Sequence, residues 1–348
     1  MKRKSELVSI CVHWALSGER VSVVELPPQA SVGAGGAAGC CGAAERRSGT
    51  QRQAAVSLVR RPPPSALLCA DGACGRWAPE AGGAPAALPA PPQGALCLAA
   101  ERADSSQLLA GYPQGLARLC GDSSQTLRAR CGSVLAAAFS ACGAYCITGS
   151  ENCTGRVWSV ATGSCVKTLC RHSGAVLAVG LSSNVDYAVT GGSDELAKLW
   201  DVKTGKCLHV LGGHTGVLTS VAFAAEDQRV ITGSFDGSVK VWRCISGDCE
   251  MTFSGSSPVL ALAVSANLAV AGCFDGRCVL WALDTGSCSQ TIEGSDAVRS
   301  VAISRDGDQL LSGDAAGSCR FWNLKTGLCK QTYLTRGEPI LHVMLQCD

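Results

Sequence analysis

Apolar residues recur two apart in short runs along most of the chain, and polar or glycine-bearing turns separate the runs. From Gly212 to Gly247 (GGHTGVLTSVAFAAEDQRVITGSFDGSVKVWRCISG) this alternation predicts strands over Val217–Phe223, Arg229–Gly233 and Ser238–Trp242. A period of two puts every second side chain on one face of a strand. Ala225–Gln228 and Phe235–Gly237 supply the turns, and Ser246–Gly247 leads into a fourth strand around Asp248–Phe253. Four short strands joined by tight turns make one antiparallel sheet.

The pattern is repeated. RHSGAVLAVGLSSNVDYAVTGGSDELAKLWDVKTG precedes this stretch, and AVAGCFDGRCVLWALDTG and LLSGDAAGSCRFWNLKTG follow it. Trp158, Trp200, Trp242, Trp281 and Trp322 recur at spacings of 42, 42, 39 and 41 residues. A period near 40 predicts an all-β fold, a β-propeller of four-stranded antiparallel blades, because one such unit buries its apolar faces only between neighbours. Counting back six residues from each Trp to a turn Asp extends the series: LLCADGACGRW supplies Asp71 and Trp77, and LLAGYPQGLARLC has Gln114 and Cys120 in those places. That makes seven repeats. CVHWALSGERVSVVEL around Trp14 resembles a third and fourth strand, and Ile340–Leu345 a first strand, so both chain ends could assemble a composite eighth blade that closes the ring and removes open edges. A chain cut from a longer parent is the competing reading.

The expected organisation is N-terminal strands over 1–26, a flexible Gly/Ala-rich excursion over 27–53, and the propeller over 54–348 with a Pro/Ala-rich loop at 78–93. Neither excursion is expected to join a strand ladder, since Pro lacks the donor and Gly has no side chain to pack. With 348 residues and 47% hydrophobic content the chain can bury a large core. A net charge of +2, with no basic stripe among few aromatics, argues against nucleic acid as a partner. No apolar run reaches the roughly 18 residues of a membrane span. Lys2-Arg3-Lys4 before LVSICVHWAL imitates a signal peptide, but Ser9 and His13 interrupt the apolar stretch. The expected location is cytoplasmic, with the nucleus as the alternative.

These repeats resemble the WD-repeat family, on the strength of Gly213–His214, the Thr-Gly-Ser run before Asp236 and the Trp200–Asp201 pair. In that family a His, a strand Ser or Thr, a turn Asp and the Trp form a buried hydrogen-bonded tetrad. The resemblance implies one tetrad of His214, Thr232, Asp236 and Trp242, and another of His172, Thr190, Asp194 and Trp200. Elsewhere the set decays: Gly255 and Ala271 replace the His and Thr before Trp281, and Gly294 and Ala316 replace the His and Asp before Trp322.

Candidate chemistry is sparse. The 22 cysteines include Cys165, Cys207, Cys249, Cys288 and Cys329, each two residues past a turn Gly, and these are expected to act as small apolar residues at regular core positions. Cys142-x3-Cys146, Cys69-x4-Cys74 and Cys273-x4-Cys278 lack the paired spacing of a zinc site, so no metal or other cofactor is expected. The repeated Asp residues sit in turns, and no phosphate-binding loop or catalytic pairing emerges. An enzyme or ligand binder working through the central channel would need polar clusters on the first strands, which offer only Arg299.

What remains is recognition of proteins or peptides by a non-enzymatic scaffold. The resemblance implies contacts from the residue before each turn Asp (Glu151, Ser193, Phe235, Phe274) and from a bulge in each first strand (Leu177, Val217, Thr219, Pro258, Leu260, Arg299). Phe235 and Phe274 then flank Pro258 and Leu260 as an apolar ledge; the alternative is that both rings turn inward between blades. The subtype that recruits substrates to cullin-type ubiquitin ligases carries an Arg where this chain has Lys203 and Lys325, so it is not supported.

Overall fold

A computed structural model describes residues 65–70, 73–77, 86–88, 94–100, 107–121, 124–129, 132–224, 226–265, 267–335 and 339–346. These form 28 strands in seven four-stranded antiparallel sheets. The Trp77 sheet contains β1 (Ser65–Ala70), β2 (Ala73–Trp77) and β3 (Ala86–Leu88), and the Cys120 sheet contains β4 (Cys97–Ala100), β5 (Leu108–Gly111), β6 (Leu116–Cys120) and β7 (Gln125–Arg128). The Trp158 sheet follows with β8 (Val134–Phe139), β9 (Tyr145–Ser150), β10 (Thr154–Ser159) and β11 (Cys165–Cys170). The Trp200 sheet has β12 (Val176–Leu181), β13 (Tyr187–Gly192), β14 (Ala197–Asp201) and β15 (Cys207–Leu211). The Trp242 sheet has β16 (Leu218–Ala224), β17 (Arg229–Ser234), β18 (Ser238–Arg243) and β19 (Cys249–Ser254). The Trp281 sheet has β20 (Val259–Val264), β21 (Leu268–Cys273), β22 (Arg277–Ala282) and β23 (Cys288–Glu293). The Trp322 sheet has β24 (Val298–Ile303), β25 (Gln309–Asp314), β26 (Ser318–Asn323) and β27 (Leu328–Leu334), and β28 (Ile340–Gln346) ends the series.

Burial peaks in the second strands and falls towards the outer strand. The second strand of the Trp242 sheet buries Val230 through Ser234, whereas the outer strand β19 buries only Phe253. The core therefore lies between successive sheets: Ile147, Val157 and Leu169 of the Trp158 sheet pack on Val176, Ala188 and Trp200 of the next. A glycine in the second strand of six of the seven sheets permits the close approach. A Cβ on Gly233 would fall 2.7 Å from Val259 Cγ1, and one on Gly313 would fall 2.4 Å from Ile340 Cγ2. At both positions a side chain would displace the neighbouring first strand.

The C-terminal strand corrects the expectation of a composite eighth blade. β28 pairs antiparallel with β1, with Leu68 opposite Val343, and so supplies the first, innermost strand of the Trp77 sheet. Ile340 and Val343 bury against Leu311 and Phe321 of the Trp322 sheet, while Met344 packs into the cluster around Leu98 and Leu108. The apolar alternation of Ile340–Leu345 needs a partner strand, and β1 provides one. The first strands contact one another in chain order from β4 to β28, and β28 in turn contacts β4.

Two other expectations change. Ala86–Leu88, inside the Pro/Ala-rich stretch at 78–93, forms β3 against Cys74–Arg76. An outermost strand has one neighbour only, so three proline-free residues suffice between Pro85 and Pro89. Cys165, Cys249, Cys288 and Cys329 are exposed and Cys207 is half-buried, all on outer strands rather than in the core. Among the described residues no further strand covers that edge, and each thiol donates to a carbonyl two residues on, as Cys249 Sγ does to Met251 O at 3.4 Å. Residues 1–26 and 27–53, with the Trp14 segment, lie outside the described residues.

Candidate functional site

The complete repeats hold four side chains in one relay. In the Trp242 sheet, Trp242 Nε1 donates to Thr232 Oγ1 at 2.9 Å, and His214 Nε2 lies 2.8 Å from the same hydroxyl. His214 Nδ1 is 3.0 Å from Asp236 Oδ2. The Trp200 sheet repeats the arrangement, with Trp200 Nε1 to Thr190 Oγ1 at 2.8 Å, His172 Nε2 to that hydroxyl at 2.7 Å, and His172 Nδ1 to Asp194 at 2.9 Å. A neutral imidazole with its proton on Nδ1 satisfies every group: it donates to the carboxylate and accepts from the threonine. Ser238, which the sequence reading did not single out, places its hydroxyl 3.0 Å from His214 Nδ1 and 2.6 Å from Asp236 Oδ1. Lys198 adds a cation 3.5 Å from Asp194.

Electrostatics follow from these contacts. Burial pushes the Asp194 carboxyl upward, but His172, the Ser173 N–H and Lys198 outweigh it and hold the group at about 2. Asp236 also rests at about 2, where burial is overcome by the Ser238 hydroxyl, two backbone N–H groups and His214. Burial lowers the His214 pKa, and Asp236 offsets part of that shift. Both carboxylates thus contribute stability that is complete above their ordinary value of 3.8 and is lost as pH falls towards 2. His214 adds loss in the same direction, beginning below its ordinary 6.5. Urea midpoints measured at pH 7, 4 and 2.5 are expected to fall steeply below pH 4, and to fall less steeply in Asp194→Asn/Asp236→Asn.

The decayed repeats substitute arginine for histidine. In the Trp322 sheet, Arg320 Nη1 is 3.1 Å from Asp314, and its other terminal nitrogen donates to Ser295 Oγ beside Gly294. Asp314 is shifted upward, burial exceeding the help from the Ser318 N–H and Arg320. In the Trp281 sheet Arg277 bonds Asp275 and reaches Ser256 Oγ at 2.7 Å. A letter-by-letter motif match passes over these residues, although their offsets from the Trp (two for Arg320, four for Arg277 and Ser238) are visible in the repeats.

We expect His214→Ala to lower stability by about 1–3 kcal/mol, because it strands buried partners on both sides. His209 on β15 is half-buried and its ring meets the exposed Ile245 carbonyl at 3.0 Å, so His209→Ala should lose less. Equal shifts in their urea midpoints would contradict the relay as the stabilising unit.

The rim residues separate into two groups. The first-strand ladders shift register around Leu177, Thr219, Leu260 and Arg299, leaving each at a bulge and half-buried. Leu135 holds the same position in β8, which the sequence reading missed. Phe274 N–H donates to the Pro258 carbonyl and Phe235 N–H to the Val217 carbonyl, both at 2.9 Å, so each ring starts beside its own bulge. Phe274 is 45% exposed; Phe235 and Pro258 are half-buried. Two candidates are corrected. Val217 is buried at 7% exposure, and the Thr219 hydroxyl is engaged by the Gly233 carbonyl at 3.1 Å and the Val259 carbonyl at 2.7 Å, tying two sheets together. Among the described residues no three His, Cys, Asp or Glu side chains form a metal-ligand set, and no helix is long and apolar enough to cross a membrane.

No curated protein matches the chain. The family model for the WD domain, G-beta repeat matches residues 121–159, 163–201, 205–243, 247–282 and 286–323, together more than half of the sequence. Those matches cover the sheets that carry the tryptophan relays, and the chain belongs to the WD-repeat family.

Proposed function

We propose that the seven sheets close into one seven-bladed propeller, and that the chain is a non-enzymatic scaffold holding a protein partner on the rim around Phe274. Closure rests on β28, which pairs with β1 and contacts both β24 and β4. The observation that carries the function is the exposure of Phe274 next to half-buried Pro258 and Leu260. A large apolar side chain held at the surface by a backbone bond suits an anchor for an apolar segment of another protein.

The first strands favour binding over catalysis. Their bulge positions carry Leu135, Leu177, Thr219, Leu260 and one cation, Arg299. His342 on β28 is pushed by burial to about 4, so it is neutral at pH 7. A single cation on otherwise uncharged positions lacks the paired groups that acid–base chemistry requires. The test is affinity capture with the intact chain and with a rim variant, read by mass spectrometry: a protein recovered by the first and lost by the second supports this reading, and equal recovery rejects the rim.

A further inference from the structure

Two hollows open beside outer strands, and they differ in charge. The one beside Trp281, ≈ 330 Å³, holds Arg277 matched by Asp275. The one beside Trp200, ≈ 370 Å³, lies between β11 and the turn into β15, and Arg171, Gly205, Lys206 and Cys207 are among the residues that line it. Its lining includes two cationic residues and no Asp or Glu. A third cation reaches the same turn: Lys167 on β11 runs beside Gly205, where a Cβ would meet Lys167 Cδ at 3.6 Å. The Arg171 charge stands near Cys207, since burial raises the pKa of that thiol and Arg171, with Lys198, offsets part of the rise. Lys198 is itself matched by Asp194 at 3.5 Å, but Lys167, Arg171 and Lys206 form no ion pair among the described residues. Like charges gathered from two sheets repel one another, and an anion placed among them removes that cost.

Aliphatic side chains flank the cations. Val166 precedes Lys167 on β11, Leu208 and Val210 follow Cys207 on β15, and all three are exposed. Half-buried His209 separates Leu208 from Val210, so the two stand on one side of β15, about 7 Å apart. β11 and β15 are the outermost strands of their sheets among the described residues. A phosphate ion would cover the cations and leave these aliphatic groups in water. Neither strand carries an exposed aromatic ring on which the bases of a nucleic acid could stack.

We infer that this face docks an acidic, aliphatic segment of another protein, with a carboxylate seated among Lys167, Arg171 and Lys206 and alternate apolar side chains laid on Leu208 and Val210. Opposite charge selects the segment, and burial of the aliphatic groups holds it. The face belongs to the Trp158 and Trp200 sheets rather than to the Trp281 sheet, and its ligand is a different one from that of the Phe274 rim.

The test is the fluorescence anisotropy of a labelled, end-blocked peptide, Glu-Glu-Leu-Ser-Val-Glu-Glu, titrated with the intact chain beside a counterpart in which every Glu is Gln. Saturable binding of the acidic peptide is expected, weakening as salt is raised because exposed charges are screened, with little binding of the counterpart. Arg171→Glu should weaken binding about tenfold, as an exposed attraction becomes a repulsion. Arg305→Glu, which makes the same change of net charge in the Trp322 sheet, and Phe274→Ala should leave it unchanged. Arg171 and Arg305 are both exposed, so their variants should melt with the parent. Leu208→Ser/Val210→Ser keeps the charges and should also weaken binding, which gives a second reading if Arg171→Glu fails to fold. Absent binding, equal binding of the Gln peptide, equal losses in Arg171→Glu and Arg305→Glu, or a loss in Phe274→Ala would each overturn the inference. So would binding of phosphatidylserine vesicles without the peptide, or a dimer seen by light scattering that Leu208→Ser/Val210→Ser dissolves while the peptide does not bind, since these give the face to a membrane or to a second copy of the chain.

Discussion

Replacing Phe235 and Phe274 together by alanine is expected to abolish recovery of the bound protein and to leave the chain folded. Aromatic anchors near the centre of an interface commonly contribute about 2 kcal/mol or more each, so losing both weakens binding about a thousandfold. The two positions are not equivalent. Phe274 is 45% exposed, and its truncation should change stability by no more than about 0.5 kcal/mol, as is usual for surface substitutions. Phe235 is half-buried beside Val217, so the double variant should melt slightly below Phe274→Ala alone. The measurements are a binding titration and a melting curve for the two variants. Undiminished binding by a folded double variant would place the site elsewhere. The outer strands β11 and β15, which expose Val166, Leu208 and Val210, would then be the next surface to examine.

Gly313→Val is expected to produce the largest loss of stability, at or above the roughly 3 kcal/mol upper end of ordinary overpacking. A Cβ there falls 2.4 Å from Ile340 Cγ2, 2.8 Å from Ile340 Cβ and 3.0 Å from Val343 Cγ1, all on the strand that completes the Trp77 sheet. The obstruction cannot be relieved by one flexible side chain, because it meets the branch point of Ile340. Gly212→Ala, whose Cβ would meet only the end of Leu196 at 3.3 Å, serves as the mild control. Ile340→Ala removes the clashing methyl and should couple to Gly313→Val, so that the double variant loses less than the sum of the singles. Additive losses in denaturant unfolding would mean that Gly313 does not act through the closing strand.

Much of the fold was legible because it is local. Alternation and turn chemistry placed Arg229–Gly233 and Ser238–Trp242 within a residue of the observed strands, and the tryptophan period assigned each to its sheet. The pairing of β28 with β1 was not legible, since alternation in Ile340–Leu345 states which face is apolar but not which distant strand it meets. The five repeated cysteines were misplaced for a related reason. A two-residue period marks a face, and only the sheet order shows that the fourth strand is the outermost among the described residues. At the candidate site, the chemistry of His214 and His172 followed from the family pattern. Val217 and Thr219 did not behave as the pattern implied, because packing buries one and an inter-sheet hydrogen bond occupies the other. Arg320 went unnoticed since a guanidinium can do the work of an imidazole from a different strand position, and motif letters do not record that equivalence.

Hydrogen exchange on the chain alone and in complex with its captured partner tests most directly the claim that the rim around Phe274 is the protein-binding surface. Protection on binding is expected in the segments Ser256–Leu260 and Cys273–Gly276, with the outer strands β11, β15 and β19 unchanged. Protection confined to those outer strands, with the Phe274 rim exchanging as in the free chain, would contradict it.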